Sequence, residues 1–187
     1  MRWLAVAVIA AAIHAVPASA ADIDPKGLVL TRADLPPGYQ LNRQYTYVLS
    51  NARFSRGVRA NEELVARSGR VTGYRARYDT KVGERIRTVM SQTDVFRRPE
   101  GARVLLLRVD ALERKYNARR GLQAYGRERA NIGGESWVYW SGYPGYYVFV
   151  AWRHGRFLGT IHSWGVGKER TLALARTQQR RIAAAVG

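Results

Sequence analysis

The chain of 187 residues contains no cysteine. No disulfide can staple it, no thiolate can ligate a metal, and no lipid can be attached through a cysteine near its start. Lysine is scarce, confined to Lys26, Lys81, Lys115 and Lys168, so arginine carries nearly all the positive charge. Acidic residues number 14 against 31 basic ones, leaving a net charge of +17. A surface this basic repels itself and attracts polyanions such as cell-wall polymers, anionic lipid and nucleic acid. The arginine bias alone points to no specific nucleic-acid target. Histidine is nearly absent too, with His154 and His162 the only ones beyond the first twenty residues. A zinc site would need both plus carboxylates, so structural or surface roles are the simpler reading and no metal or cofactor is expected.

What the chain does have begins at its start. Arg2 opens a short positive segment, Leu4 to Val16 is apolar except for His14, and Ala18-Ser19-Ala20 has the small-x-small form of a cleavage site. That is the layout of a secretory signal peptide, with an apolar run too short for a comfortable membrane span. There is no twin-arginine start, which favours general export of an unfolded chain. The expected organisation is a signal peptide over residues 1–20, an N-terminal extension with short helices over 21–69, and an α+β core over 70–187. The protein would work in the periplasm, the cell envelope or the medium, with no transmembrane segment once the signal is removed. Apolar residues at 47%, with Tyr and Trp spread throughout, support a single folded domain with a full core.

Periodicity supplies the elements. Gly27 to Leu30 reads as a short extended piece, and Thr31-Arg32-Ala33-Asp34 has capping-box spacing with Asp in place of Glu. Pro36-Pro37-Gly38 then stops any helix. Asn61 to Arg67 predicts a brief helix with Leu64 and Val65 inward. Val71 to Asp79 alternates Tyr74, Ala76 and Tyr78 against Arg75 and Arg77, the period of a half-buried strand. Arg85 to Arg97 predicts its antiparallel partner across a polar turn. A helix follows from Pro99 to Gly121, with a seam of Ala102, Leu105, Val109, Leu112 and Tyr116. Leu122 to Asn131 reads as a basic connection. Three more strands are expected over Ser136–Ser141, Tyr146–Arg153 and Arg156–Trp164, the last two joined by His154-Gly155. A final helix over Lys168–Val186 places Leu172, Ala175, Gln179, Ile182 and Val186 on one side. The expected fold is therefore a two-layer α+β sandwich: a curved antiparallel sheet of about five strands with both main helices on one face.

Motifs for catalysis are missing. There is no G-x-S-x-G elbow, and the acids near the first hairpin, Asp79, Glu84 and Asp94, read as ion-pair partners of nearby arginines. Gly165-Val166-Gly167-Lys168 fails the phosphate-loop pattern at both ends and reads as a strand-to-helix turn. No enzymatic activity is expected. A hydrolase remains as an alternative, requiring a nucleophile within hydrogen-bond reach of His154 or His162.

The aromatic residues carry the leading hypothesis. Trp137, Tyr139, Trp140, Tyr143, Tyr146, Tyr147, Phe149, Trp152, Phe157 and Trp164 fall within 28 positions. Strand parity divides them between two faces, and rings left on an open face suit apolar or sugar-like ligands. Trp137, Tyr139, Tyr147, Phe149 and His162 are the candidates for such a face. The competing reading is a second small core under the N-terminal segment, with Tyr39, Tyr45 and Tyr47 folded over the same rings. A different alternative is a polyanion site on the helices, through Arg103, Arg108, Arg176, Arg180 and Arg181.

Several stretches together resemble a group of uncharacterised secreted bacterial proteins. They are Leu35-Pro36-Pro37-Gly38-Tyr39, Gly69-Arg70-Val71-Thr72-Gly73-Tyr74, Val95-Phe96-Arg97 before Gly101-Ala102, Ala151 to Arg156, and Leu174 to Ile182. More distantly, the strand–helix order is similar to extracellular sensor domains of bacterial receptor-type serine/threonine kinases and related lipoproteins. The resemblance implies an α+β fold with a cleft and a ligand-binding role, with a small or envelope-derived ligand as partner. It supplies no catalytic residues. This chain departs from those relatives in lacking disulfide cysteines, a lipid anchor and a kinase.

Overall fold

The structure is a computed structural model that describes residues 23–56, 59–119, 125–142 and 147–186. The expected signal peptide, the helix end at Gly121 and the residues 143–146 lie outside the described residues. After two 3-10 turns, Pro25–Leu28 and Arg32–Asp34, the elements run as follows. Two short strands, β1 (Gln40–Leu41) and β2 (Tyr47–Val48), precede helices α1 (Asn51–Ser55) and α2 (Arg59–Ser68). The long hairpin is β3 (Arg70–Val82) and β4 (Arg85–Phe96), followed by α3 (Pro99–Arg119). Then come β5 (Tyr125–Arg129), β6 (Glu135–Ser141), β7 (Tyr147–His154), β8 (Phe157–Trp164) and α4 (Lys168–Ala184).

All strands join one antiparallel sheet in the order β1-β3-β4-β8-β7-β6-β5, with β2 also on the outer edge of β3. The α+β class and the antiparallel sheet are as expected, with eight described strands rather than about five. The extra strands come from segments without a clean period. Tyr39 to Tyr47 contributes two two-residue strands. The basic stretch Tyr125–Arg129 forms an edge strand against β6, where charged side chains are at home.

One feature of the expected architecture is corrected. The two main helices do not share a face. On β7, Val148, Val150 and Trp152 join the core of α4, while Phe149 and Ala151 join that of α3. Adjacent strand residues point to opposite sides, so α3 and α4 cover opposite faces and the domain has three layers. The reason is legible in β7 itself: Val148-Phe149-Val150-Ala151-Trp152 is apolar without interruption, as befits a strand buried on both sides.

The α4 face is dry and closely packed. Leu172, Ala175 and Ile182 meet Val89, Val150, Phe157 and Ile161, joined by Leu28, Val29 and Leu30. Gln178, fully buried, donates to the Gln92 carbonyl (2.9 Å) and Thr93 Oγ1 (2.8 Å) and accepts from Ser91 Oγ (2.8 Å). Those bonds satisfy its amide, which would otherwise be costly to bury. The buried stripe thus runs through Gln178, whereas Val186, expected inward, is exposed. The capping box at Thr31 forms, with Asp34 Oδ2 accepting from the Thr31 N–H at 2.6 Å, and Arg181 holds Asp34 at 2.8 Å.

On the other face, α3 buries Ala102, Leu105 and Leu106 against Phe96, Ala151 and Leu158. Leu112, expected in the seam, is exposed. Gly101 lets the start of α3 touch the end of α2, since a Cβ there would fall 1.9 Å from the Ser68 carbonyl oxygen.

Candidate functional site

The five ring candidates all lie on the α3 face. Cross-strand register places Tyr139 opposite Phe149 and Phe149 opposite His162. Trp137 and Tyr147 follow by alternation on β6 and β7. Their environments differ. Tyr139 and Phe149 are buried and stacked at 5.7 Å. Trp137, Tyr147 and His162 are half-buried. Trp164, two residues beyond His162 on the same face, is 39% exposed.

Tyr139 is anchored by Asp110 of α3, a buried carboxylate that accepts from its hydroxyl and from Arg127 Nε at 2.8 Å. Burial alone would raise the Asp110 pKa. The hydrogen bonds from Tyr139 and Arg127, with the charges of Arg127 and Arg114, outweigh it and hold the carboxyl below its ordinary value. Burial, then the bond to Asp110, pushes the Tyr139 phenol up, so it remains a neutral donor. Trp137 lies under the guanidinium groups of Arg127 and Arg129, at 3.4 and 3.9 Å from its ring centroid. These contacts make Trp137 and Tyr139 parts of a packed wall rather than an open platform.

The open end is built by Tyr147, His162 and Trp164. The His162 ring lies 4.1 Å from Phe149 and 6.1 Å from Trp164, and Tyr147 is 5.4 Å from Trp164. The Tyr147 hydroxyl donates to Glu113 Oε1 at 3.4 Å and lies 3.3 Å from His162 Nδ1. The direction of the contact between Tyr147 and His162 depends on the histidine tautomer. Burial, and secondarily the charge of Arg75, lowers the His162 pKa to about 3. The imidazole is therefore neutral, and its hydrogen-bonding neighbour among the described residues is Tyr147.

Beside this end, β3 and β4 carry a charged and polar network on the same face. Arg75 donates to Gln92 Oε1 at 2.8 and 2.9 Å, and Gln92 donates to Asp94 Oδ2 at 2.7 Å. Asp94 accepts from Arg70 Nε at 2.9 Å, and both side chains are 1% exposed. Arg70 also donates to the Leu49 carbonyl and Asn51, tying the N-terminal extension down. Arg53 stacks on Tyr47 at 3.4 Å and Arg77 on Tyr45 at 4.6 Å. Tyr45 and Tyr47 thus face arginines at the sheet edge, whereas Tyr39 is buried in the core of the α4 side.

The other candidates are placed as follows. Arg103 and Arg108 are exposed on α3, while Arg176 and Arg180 are exposed and Arg181 half-buried on α4. The sheet separates the two sets, so these five groups do not form one surface. His154 ends β7 rather than occupying the turn, which is Gly155-Arg156, and its Nδ1 lies 2.9 Å from Gln179 Nε2. Neither His154 nor His162 hydrogen-bonds a serine or threonine among the described residues. Trp164 lies outside the five ring candidates of the sequence. Its parity with His162 was the available signal, and its exposure is what distinguishes it.

Comparison with protein-family models and with curated proteins finds no match. Among solved structures, the extracellular domain of PknH from Mycobacterium tuberculosis is similar in chain trace. The alignment covers 89% of this chain and 98% of that one, at 9% identity and a TM-score of 0.47.

Proposed function

We propose that this protein is an exported, non-enzymatic, sensor-like domain that binds a small or envelope-derived ligand at the Trp164 end of the α3 face. The observation that carries this reading is the gradient of burial along one row of rings. Phe149 is 2% exposed, His162 and Tyr147 are half-buried, and Trp164 is 39% exposed. Flat rings that emerge from a core into solvent offer stacking area to an apolar or sugar-like ligand, and nearby polar groups fix its orientation. His162 is such a group, a polar ring that stays neutral across the ordinary pH range because of its burial.

The test is a thermal-shift panel of soluble peptidoglycan fragments and free sugars, run on the wild type and on Trp164→Ala. A native-state binder at a hundred times its Kd adds about 2.7 kcal/mol of stability. At least one probe is expected to raise the wild-type melting temperature and to leave the variant unmoved. A panel that shifts neither protein, or both equally, contradicts the proposal.

A further inference from the structure

The β3–β4 hairpin runs past the rest of the sheet. β8 pairs with β4 from Thr88 to Val95 only, and β1 meets β3 at Tyr78 and Asp79. Yet β3 and β4 stay paired to Val82 and Arg85. The ribbon beyond Thr80 therefore has no neighbour on either edge among the described residues, and every residue from Lys81 to Arg87 is exposed.

Its side chains are arranged in an unusual way for a solvated tip. Lys81 pairs with Ile86 on one side of the ribbon, and Val82 pairs with Arg85 on the other. Each side thus carries one apolar residue and one cation. Ile86 is 65% exposed and Val82 47%, among the most exposed large apolar residues described. Lys81, Arg85 and the adjacent Arg87 have no ion-pair partner among the described residues. Glu84 is the single acid between Lys81 and Arg87.

We infer that the hairpin tip is a contact for an anionic lipid surface. A folded partner docking on one side of the ribbon would leave the apolar residue of the other side in water. A bilayer surface surrounds a tip on both sides at once. It takes Ile86 and Val82 into the boundary between headgroups and acyl chains, while Lys81, Arg85 and Arg87 reach the phosphates. The charge is complementary, since the whole chain carries +17 and anionic headgroups attract clustered Lys and Arg. No described helix is long and apolar enough to cross a membrane. The tip uses none of the ring residues, so it can fail or succeed independently of the ligand proposal.

The experiment uses the full chain with vesicles of equimolar phosphatidylglycerol and phosphatidylcholine, against phosphatidylcholine alone. Because the chain lacks cysteine, Glu84→Cys gives a single attachment point for an environment-sensitive dye. The dye is expected to shift to the blue and resist aqueous quenchers on the anionic vesicles only. Val82→Ser with Ile86→Ser, and separately Lys81→Gln with Arg85→Gln and Arg87→Gln, are each expected to weaken binding about tenfold. Residues 1–22 are shared by all variants, so differences read the tip. A dye that stays in water overturns the inference, as does undiminished binding by the serine variant, which would mean general charge attraction. A dye that ignores vesicles but responds to heparin overturns it in favour of a soluble polyanion.

Discussion

The two faces of the sheet are held together by different physics. Beneath α4, large rings lie on glycines. Trp152 covers Gly159, where a Cβ would approach its ring to 2.3 Å, and Trp140 covers Gly126, where the approach would be 2.0 Å. The fully buried polar groups on that side are neutral and mutually satisfied, as with Gln178 or the 2.7 Å contact of Ser163 with Thr171, and the ion pairs Arg181–Asp34 and Lys168–Glu128 lie at its rim. Beneath α3 the cohesion is charged: Arg70 with Asp94, Arg127 with Asp110, and Arg77 with Asp79. The α4 face is closed by close packing. The face built from ion pairs and spaced rings fades into solvent at Trp164.

The largest effect in this contrast is expected from Asp94→Ala. It leaves Arg70 charged and 1% exposed, compensated by its bonds to the Leu49 carbonyl and the Asn51 amide oxygen and by the Phe54 ring 4.6 Å away. Removing one partner of a buried pair costs about 3–5 kcal/mol, so chemical denaturation should show a loss of that order. Gly159→Ala probes the opposite face by overpacking Trp152, with an expected cost of about 1–3 kcal/mol in the same assay. If both variants lost the same small amount, the distinction between the faces would collapse.

Acid should separate the faces next. Asp110 and Asp79 both have lowered pKa values in the fold, so their contribution is present above their unfolded values and lost as pH falls through the folded ones. His162 adds to this in the same direction. Its pKa falls from 6.5 to about 3, so the unfolded state takes up its proton first and stability declines as pH drops through that window. All three groups lie on the α3 face. Hydrogen exchange measured from neutral pH downward, corrected for intrinsic rates, should show the α3 amides losing protection before those of α4. His162→Phe should flatten the upper part of the decline, just below the ordinary histidine value of 6.5, where the unfolded imidazole takes up its proton.

The smallest stability effect belongs to Trp164→Ala, under about 1 kcal/mol for a ring that is 39% exposed. Its expected consequence is for binding alone, which separates a ligand residue from a packing residue.

How far the sequence announces all this varies by element. Strand alternation assigns Tyr74, Ala76 and Tyr78 to one side and Arg75 and Arg77 to the other, as found. It also brings Trp137, Tyr139, Tyr147, Phe149 and His162 to a common face, because period two is fixed by the pleat. What it lacks is the side to which each helix returns. An amphipathic seam states that α3 and α4 bury one stripe, and either face of the sheet can receive it. The unbroken apolar run in β7 held that information. Nor could parity grade the five rings, since the Asp110 anchor under Tyr139 and the arginines over Trp137 come from elements distant in the chain. Exposure at Trp164 depends on where α3 passes over the sheet, a tertiary quantity with no local signature.

The proposed ligand site is the Trp164 end of the α3 face. Backbone and indole NMR shifts, followed as peptidoglycan fragments and sugars are titrated, test this directly. Perturbations confined to Tyr147, Phe149, His162 and Trp164, absent from Trp152 and the α4 residues, are the predicted result. Saturable perturbations centred on the α4 face, or on Arg103 and Arg108 with the ring residues silent, would contradict it.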